Sequence, residues 1–473
     1  NRTGCPASLS KFIVIGVNVM SDTIAAIATG GSVSAIGIVR VSGPQALEAA
    51  DRVFRPADGR RMSEHGDRRL VYGALCGEDG RVLDWCLCTI SRAPHSYTGE
   101  DTAELQCHGS PVVLRRALEL LFAAGARQAG PGEFTKRAFL NGRLDLTQAE
   151  AVIDIIEAET AAAAENAAGQ LGGALSRRAE RVYSDVVDII SHFDAVLDYP
   201  DEDIEPFELA DYRSRLEGGC CQLRELLSSF ERGRVLREGV SAAIIGRPNA
   251  GKSSLLNAIL GYDRAIVTAQ PGTTRDTIEE KALLGGVLLR LTDTAGLREA
   301  ADEAEREGVR RAFAAAEGAQ LVLAVFDGSE ALRAEDRETI EAAKRAKRAV
   351  CIMNKSDLPR AADAAEPEGF DAVVSLSART GEGLDALAEA VARLFPEPET
   401  PAGEILTNAR QAEAMNRALG SLESALRAMD EGLTPDAVLT EAEYALDALS
   451  ELTGRSVKAD VTERIFSRFC VGK

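Results

Sequence analysis

Apolar and polar positions along the chain follow three different periods, and the places where the period changes divide it into domains. From residue 20 to about 138, apolar residues come in short β-type runs such as Ala35 to Val41 and Val82 to Ile90. Gly- and Pro-containing turns part these runs, and one helical pattern covers Pro111 to Ala124, so an α+β domain is predicted. From about 145 to 232 the spacing becomes helical. Thr147 to Gly169 holds no proline, and Ser184 to Leu197 is apolar at Val186, Val187, Ile189, Ile190 and Val196. Proline and acidic residues break the pattern at Tyr199 to Asp203.

At Val240 the texture changes again. Apolar runs at Val240–Ile245, Val287–Leu291, Leu321–Phe326, Ala349–Met353 and Ala372–Leu376 alternate with helical patterns, which predicts a mostly parallel sheet. Past Pro396 and Pro398 helical spacing returns, from Ile405 to Phe469. The fold class expected is multidomain α/β: an α+β domain over 20–138, a discontinuous helical domain over 139–236 and 401–473, and an α/β domain inserted at 237–400. Termini that lie close together make such an insertion tolerable.

Composition narrows this picture. The chain has 473 residues, 45% of them hydrophobic, enough for several packed cores and too many for wholesale disorder. With 54 Lys and Arg against 74 Asp and Glu, its net charge is -20, which disfavours a chain that grips nucleic acid through a broad basic surface of its own. The nine cysteines lack any C-x-x-C repeat and there are four histidines, so no zinc site is expected and reduced cytosolic thiols are. No stretch approaches the ~20 apolar residues of a membrane span. Residues 1–19 differ in texture from the rest of the chain, and Met20 reads as a plausible start; this segment is expected to be an extension outside the fold.

The candidate chemistry lies in the α/β domain. Its first strand runs into Gly246-Arg-Pro-Asn-Ala-Gly-Lys-Ser253, a G-x-x-x-x-G-K-S loop whose backbone N–H groups can wrap phosphates ahead of a helix N-terminus. Lys252 suits the β- and γ-phosphates, and the Ser253 hydroxyl suits Mg²⁺. Downstream come Asp293-Thr294-Ala295-Gly296, Asn354-Lys355-Ser356-Asp357 and Ser377-Ala378-Arg379. Asp357 can accept two hydrogen bonds from guanine N1–H and its 2-amino group, a donor pair that adenine lacks. GTP binding in a Ras-like P-loop domain is therefore predicted. The water-positioning glutamine expected just after Asp-x-x-Gly is replaced by Leu297, so another polar group must serve, and the acidic run Glu299 to Glu307 supplies candidates.

The chain resembles one family, the tRNA-modification GTPases called MnmE or TrmE, over about 20–473. The likeness rests on Ala35 to Gly43, Ser96-Tyr-Thr-Gly-Glu-Asp101, Pro131 to Gly142, Asp145 to Val152, Gly272-Thr-Thr-Arg-Asp276 and Phe469-Cys-Val-Gly-Lys473. The resemblance implies a GTP hydrolase that works with a flavin-dependent partner of the MnmG or GidA type in a heterotetramer. Such an enzyme adds a (carboxymethyl)aminomethyl-type group to carbon 5 of the wobble uridine in certain tRNAs, with a tetrahydrofolate derivative (5-formyl- or methylene-tetrahydrofolate) as one-carbon donor. The N-terminal domain would bind folate through Arg40, Glu104, Arg143 and Lys473 and would form the homodimer.

By the same resemblance, GTP contacts fall on Asn249, Ala250, Gly251, Lys252, Ser253 and Ser254, on Thr268, Gly272, Thr273 and Thr274, and on the three downstream motifs. Mg²⁺ would be held by Ser253 and Thr274. K⁺ would be held by Asn249, Thr268, Gln270 and Thr273, and Glu305 would position the attacking water. Cys470 matches a near-terminal cysteine whose role is either chemical or structural. A regulatory GTP switch that recruits partners is a different class of reading, but such proteins usually carry a basic RNA-binding module, and none is evident.

Charge is unevenly shared. Residues 20–139 hold 14 basic and 14 acidic side chains, residues 238–400 hold 20 and 28, and the helical stretches carry most of the excess. The expectation is a chain that does not hold tRNA alone.

Overall fold

The computed structural model describes residues 22–198, 209–262, 280–291, 313–314, 316–360, 367–396, 400–456, 462, 465–467 and 469–472. The chain divides into two compact units, one from the N-terminus to 153 together with the residues from 453 onward, the other spanning 154–452.

In the first unit the elements run β1 (Ile24–Ile27), β2 (Ser34–Ser42), α1 (Ala46–Val53), β3 (Phe54–Pro56), β4 (Val71–Cys76), β5 (Val82–Ser91), β6 (Thr102–Gly109), α2 (Pro111–Ala123), β7 (Arg127–Gln128), α3 (Glu133–Leu140) and α4 (Leu146–Glu157). The seven strands form one sheet in the order β3-β4-β5-β6-β2-β1-β7. Neighbours pair antiparallel except β1 with β7. Period-two patterning explains the layer. In β5 Cys86, Cys88 and Ile90 point into a core that includes Ala46 and Ala50 of α1 and Leu114 and Leu121 of α2, while Trp85 beside them is exposed and stacks on Tyr72 at 5.8 Å. The chain returns to this sheet at its far end: Pro131 bridges Val471, and a Cβ at Gly472 would lie 2.3 Å from the Ile27 carbonyl oxygen.

The second unit opens with α5 (Ala161–Leu171), α6 (Ala174–Asp198), α7 (Leu209–Ser228) and α8 (Phe230–Glu238). The proline-free stretch from Thr147 is not one helix. It breaks between α4 and α5, where the Thr160 hydroxyl accepts from Ala163 N at 3.1 Å and caps a new start. The α/β portion follows as β8 (Val240–Ile245), α9 (Lys252–Tyr262), β9 (Glu280–Leu284), β10 (Val287–Leu291), β11 (Leu321–Asp327), α10 (Ala334–Ala343), β12 (Arg348–Asn354), β13 (Ala372–Ser375) and α11 (Leu384–Leu394). Its six-stranded sheet has the order β13-β12-β11-β8-β10-β9. All neighbours are parallel except β9, which pairs antiparallel with β10.

Two helices, α12 (Ala409–Asp430) and α13 (Pro435–Thr453), come after the sheet. Their Met415, Leu422 and Leu449 share one core with Val182, Val186 and Ile189 of α6 and Leu216 and Leu223 of α7. Helices from either side of the α/β portion therefore pack together. The segment that leads the chain back is clasped: Asn166 and Gln170 of α5 both donate to the Ile405 carbonyl, at 3.2 and 2.7 Å, and Leu406 N donates to the Ser229 hydroxyl at 3.0 Å.

Candidate functional site

Among the described residues, three strand ends of the six-stranded sheet, those of β8, β12 and β13, carry predicted nucleotide motifs. The loop after β8 has left-handed backbone at Asn249, with φ of 62°, and at Gly251, with φ of 98°. A Cβ at Gly251 would fall 2.1 Å from the Asn354 amide nitrogen, so only glycine lets the loop come this close to the end of β12. Lys252 opens α9, is buried, and donates back to the carbonyls of Gly246 and Arg247 at 3.0 and 2.9 Å. Its ammonium is thereby drawn over the loop it belongs to. Ala250 is buried, whereas Asn249, Ser253 and Ser254 are exposed.

Asn354 ties the motifs together. It is 3% exposed, its amide nitrogen donates to Ala250 O at 2.8 Å, and its amide oxygen accepts from Ala378 N at 3.0 Å. One side chain thus fixes the phosphate loop and the Ser377 loop to the same point. Lys355, also left-handed with φ of 66°, reaches the Asp327 carboxylate at 2.5 Å. Asp357 accepts from the Ser377 hydroxyl and from Arg379, each at 2.6 Å. The Ser377 hydroxyl, helped by Arg379, holds the Asp357 carboxyl below the usual carboxylate range. Ser356 is exposed, and its N donates to Leu376 O at 3.1 Å.

Two residues here were not singled out from the sequence. Asp327, at the end of β11, accepts from Lys355 and from the Ser329 hydroxyl at 2.6 Å. Burial opposes its charge, yet these donors keep its carboxyl below the usual range. Arg247, buried in the phosphate loop, pairs with Glu330 at 2.6 Å and lies 3.6 Å from Asp327. The only sequence signal for Asp327 is its place after a fully apolar strand. Thr268, Gln270, Gly272, Thr273, Thr274, Asp293, Thr294, Ala295, Gly296 and Glu305 lie outside the described residues.

The first unit holds the other candidates. Arg40 and Glu104 face each other across β2 and β6 and bond at 2.7 Å, both partly exposed. The Arg40 guanidinium sits over the rings of Tyr97 and Phe134, 5.3 and 5.6 Å from their centroids. Arg143 is exposed, its stem beside Gly99. Cys470 is a free, exposed thiol whose carbonyl accepts from Gly132 N at 3.3 Å, and Lys473 lies outside the described residues.

Several charged residues of the signature segments are engaged elsewhere. Arg137, 1% exposed, binds Glu100 at 3.0 Å, Glu133 at 3.0 Å and Asp22 at 2.9 Å. The sequence does not reveal this knot, because Asp22 and Arg137 are far apart along the chain.

Parallel strand ends on one side of β11 and the other, β8 carrying a phosphate loop, β12 an Asn-Lys-Ser-Asp loop and β13 the serine loop behind it, define the class, a guanine-nucleotide-binding P-loop protein. Residues 23–143 match the family described as GTP-binding protein TrmE N-terminus, and residues 146–470 match the MnmE helical domain. The tRNA modification GTPase MnmE of Roseiflexus sp. (strain RS-1) is 45% identical over 464 residues, covering 96% of this chain and 99% of that protein. Its counterpart from Symbiobacterium thermophilum is 45% identical over 462 residues, again covering 96% and 99%. The chain belongs to the MnmE family of tRNA modification GTPases. It is an enzyme, a GTPase.

Proposed function

We propose that this GTPase hydrolyses GTP to drive modification of the wobble uridine at carbon 5 in certain tRNAs, adding a (carboxymethyl)aminomethyl-type group. In this reading it acts in the cytoplasm as a homodimer joined to a flavin-dependent MnmG/GidA-type partner. A tetrahydrofolate derivative, 5-formyl- or methylene-tetrahydrofolate, supplies the carbon. The observation that carries the reading is the pairing, in one chain, of the Asn354-centred nucleotide site with the Arg40–Glu104 pair on the N-terminal sheet.

The roles of the residues follow from their chemistry. Asp357 offers two acceptor oxygens to guanine, and Ser377, Ala378 and Arg379 back the base. The tight loop at Gly251, which a Cβ would fill, fits backbone wrapping of phosphates by Asn249 to Ser254, with Lys252 turning to their oxygens. Ser253 and Thr274 would hold Mg²⁺, and Asn249 with Thr268, Gln270 and Thr273 would hold K⁺. Those cations would supply positive charge where the transferring phosphoryl group builds negative charge. Glu305 would orient water, and Gly272 with Asp293 to Gly296 would lie along the phosphates.

Glu104 would accept from pterin N–H groups, while Arg40, Arg143 and Lys473 would meet the folate's carbonyl and carboxylates. Cys470 stands nearby in the chain as a candidate thiol. Exposed apolar side chains on the N-terminal unit, Ile36 at 60%, Tyr72 at 55% and Trp85 at 52%, support self-association there. None of the described helices is long and apolar enough to cross a membrane. The deciding experiment is mass spectrometry of tRNA wobble nucleosides from a deletion strain with and without this chain. Restoration of the modified uridine is expected, and unchanged nucleosides would overturn the reading.

A further inference from the structure

We propose that Asp84, Cys86 and Cys107 in the N-terminal unit form a zinc-binding site. The register of β5 against β6 pairs Leu87 with Gln106 and Cys88 with Leu105; one position further along, it sets Cys86 against Cys107. Asp84 lies two residues before Cys86 and so shares its face of the strand. One carboxylate oxygen and the two sulfurs all lie within 4.8 Å of one another, close enough for a single ion to touch all three. Cys86 and Cys107 are free thiols, 5% and 2% exposed, and the Asp84 side chain is 10% exposed.

Two buried thiols alone would be ordinary core packing. The carboxylate is what core packing does not explain. It occupies the inward-facing position that Cys86, Cys88 and Ile90 continue, where an apolar side chain is expected. Its orientation is fixed from outside the cluster: His108 N donates to Oδ2 at 2.8 Å, and His108 Nδ1 lies 2.8 Å from Oδ1. Each oxygen keeps a second lone pair for an ion. A ligating carboxylate held by an outer hydrogen-bonding partner is the usual arrangement around bound metals.

Two sulfurs with one carboxylate oxygen select a borderline-soft ion, so Zn²⁺ is favoured over Mg²⁺, Ca²⁺ or K⁺, which take oxygen shells. Both thiols would bind as thiolates, releasing their protons to solvent, and the fourth tetrahedral position is left to water. The ion would brace β5 against β6 beyond Leu87–Gln106. The sequence hides the site because its ligands come from two strands joined only by register.

The test uses the whole chain, stripped with a chelator under a non-chelating reductant and titrated with Co²⁺ in the absence of nucleotide. One equivalent should produce a near-ultraviolet thiolate-to-cobalt band, discharged by one equivalent of Zn²⁺. An ion at the oxygen-lined Mg²⁺ site gives no such band. Cys86→Ser and Cys107→Ser should each abolish it, His108→Ala should weaken Co²⁺ binding by about 10–100-fold, and Cys221→Ser and Cys470→Ser should leave it intact. Unaltered GTP binding and circular dichroism show that the variants fold. Should the serine variants fail to fold, alkylation of the unsubstituted chain decides, with Zn²⁺ expected to protect Cys86 and Cys107. A missing band, a band that survives both serine variants, lack of zinc protection, or recovery of Cys86 and Cys107 as a disulfide would overturn the proposal.

Discussion

Asp357 holds two donors at 2.6 Å, from Ser377 and Arg379, and a guanine base would bring two more. Asp357→Asn exchanges an acceptor for a donor at the position that distinguishes nucleotides. GTP affinity should fall by on the order of a hundredfold or more, with preference passing to xanthosine nucleotides, as competition binding would measure. Asn249, exposed with left-handed backbone, is free to turn its amide oxygen to a cation. Replacing K⁺ by Na⁺ should therefore slow GTP turnover about tenfold or more, and Asn249→Ala should erase that difference while GTP still binds. The phosphate loop and the Asn354 and Ser377 loops are visible in the sequence as local spacings, whereas the K⁺ role of Asn249 comes only from the family resemblance. Asp327 and Arg247 were not legible there, because their roles depend on which strand ends lie side by side in the sheet, which local spacing does not state.

At the scale of elements, the strands at Val240–Ile245 and Val287–Leu291 were readable to the residue, since apolar residues dominate both, each with one polar interruption, Ser241 and Arg290. β9 escaped notice because Glu280 and Lys281 open it, as befits an edge strand. The break before α5 escaped because a hydroxyl cap, not proline or glycine, makes it. A joint between elements gives a sharper prediction. A Cβ at Gly233 in α8 would lie 1.9 Å from the Leu406 carbonyl oxygen, so Gly233→Ala must push α8 off the returning segment. A loss of at least about 2 kcal/mol is expected despite the better helix propensity, seen as a lower denaturant midpoint with GTP still bound.

The knot that ties Asp22, Glu100 and α3 through Arg137 behaves differently, because its energy depends on pH. Burial opposes ionisation of Asp22 and Glu133, yet Arg127 and Arg137 hold both carboxyls below their usual range. Carboxyls depressed in the folded state add stability that is present above the unfolded carboxyl range and lost as pH falls below about 4. Arg137→Met should cost about 3 kcal/mol near neutrality, because the little-exposed Glu100 and Glu133 lose a guanidinium partner, while Arg127 still pairs with Glu133 and Asp22. In acid-denaturation curves the gap between the variant and the unsubstituted chain should narrow as pH falls.

Across the whole molecule the net charge of -20 sits mainly on the helical stretches, while residues 20–139 balance to zero. Acidic helices suit a basic partner surface better than tRNA itself, so if the proposed flavin-dependent partner binds them, its affinity should drop by on the order of tenfold between low and physiological salt. Titration by calorimetry at several salt concentrations measures this, and equal affinities would exclude the electrostatic account. The return of residues 453–472 to the N-terminal unit bears on a different matter, the order in which a ribosome delivers the parts. The helical and nucleotide-binding unit is completely synthesised before the segment that bridges Pro131 has been made. The N-terminal sheet, made earlier than that unit, must wait through the synthesis of some 300 residues with the surface that Val471 and Gly472 later cover still open to solvent. A nascent chain stalled before that point would carry a complete nucleotide-binding unit and an N-terminal sheet still lacking its C-terminal bridge.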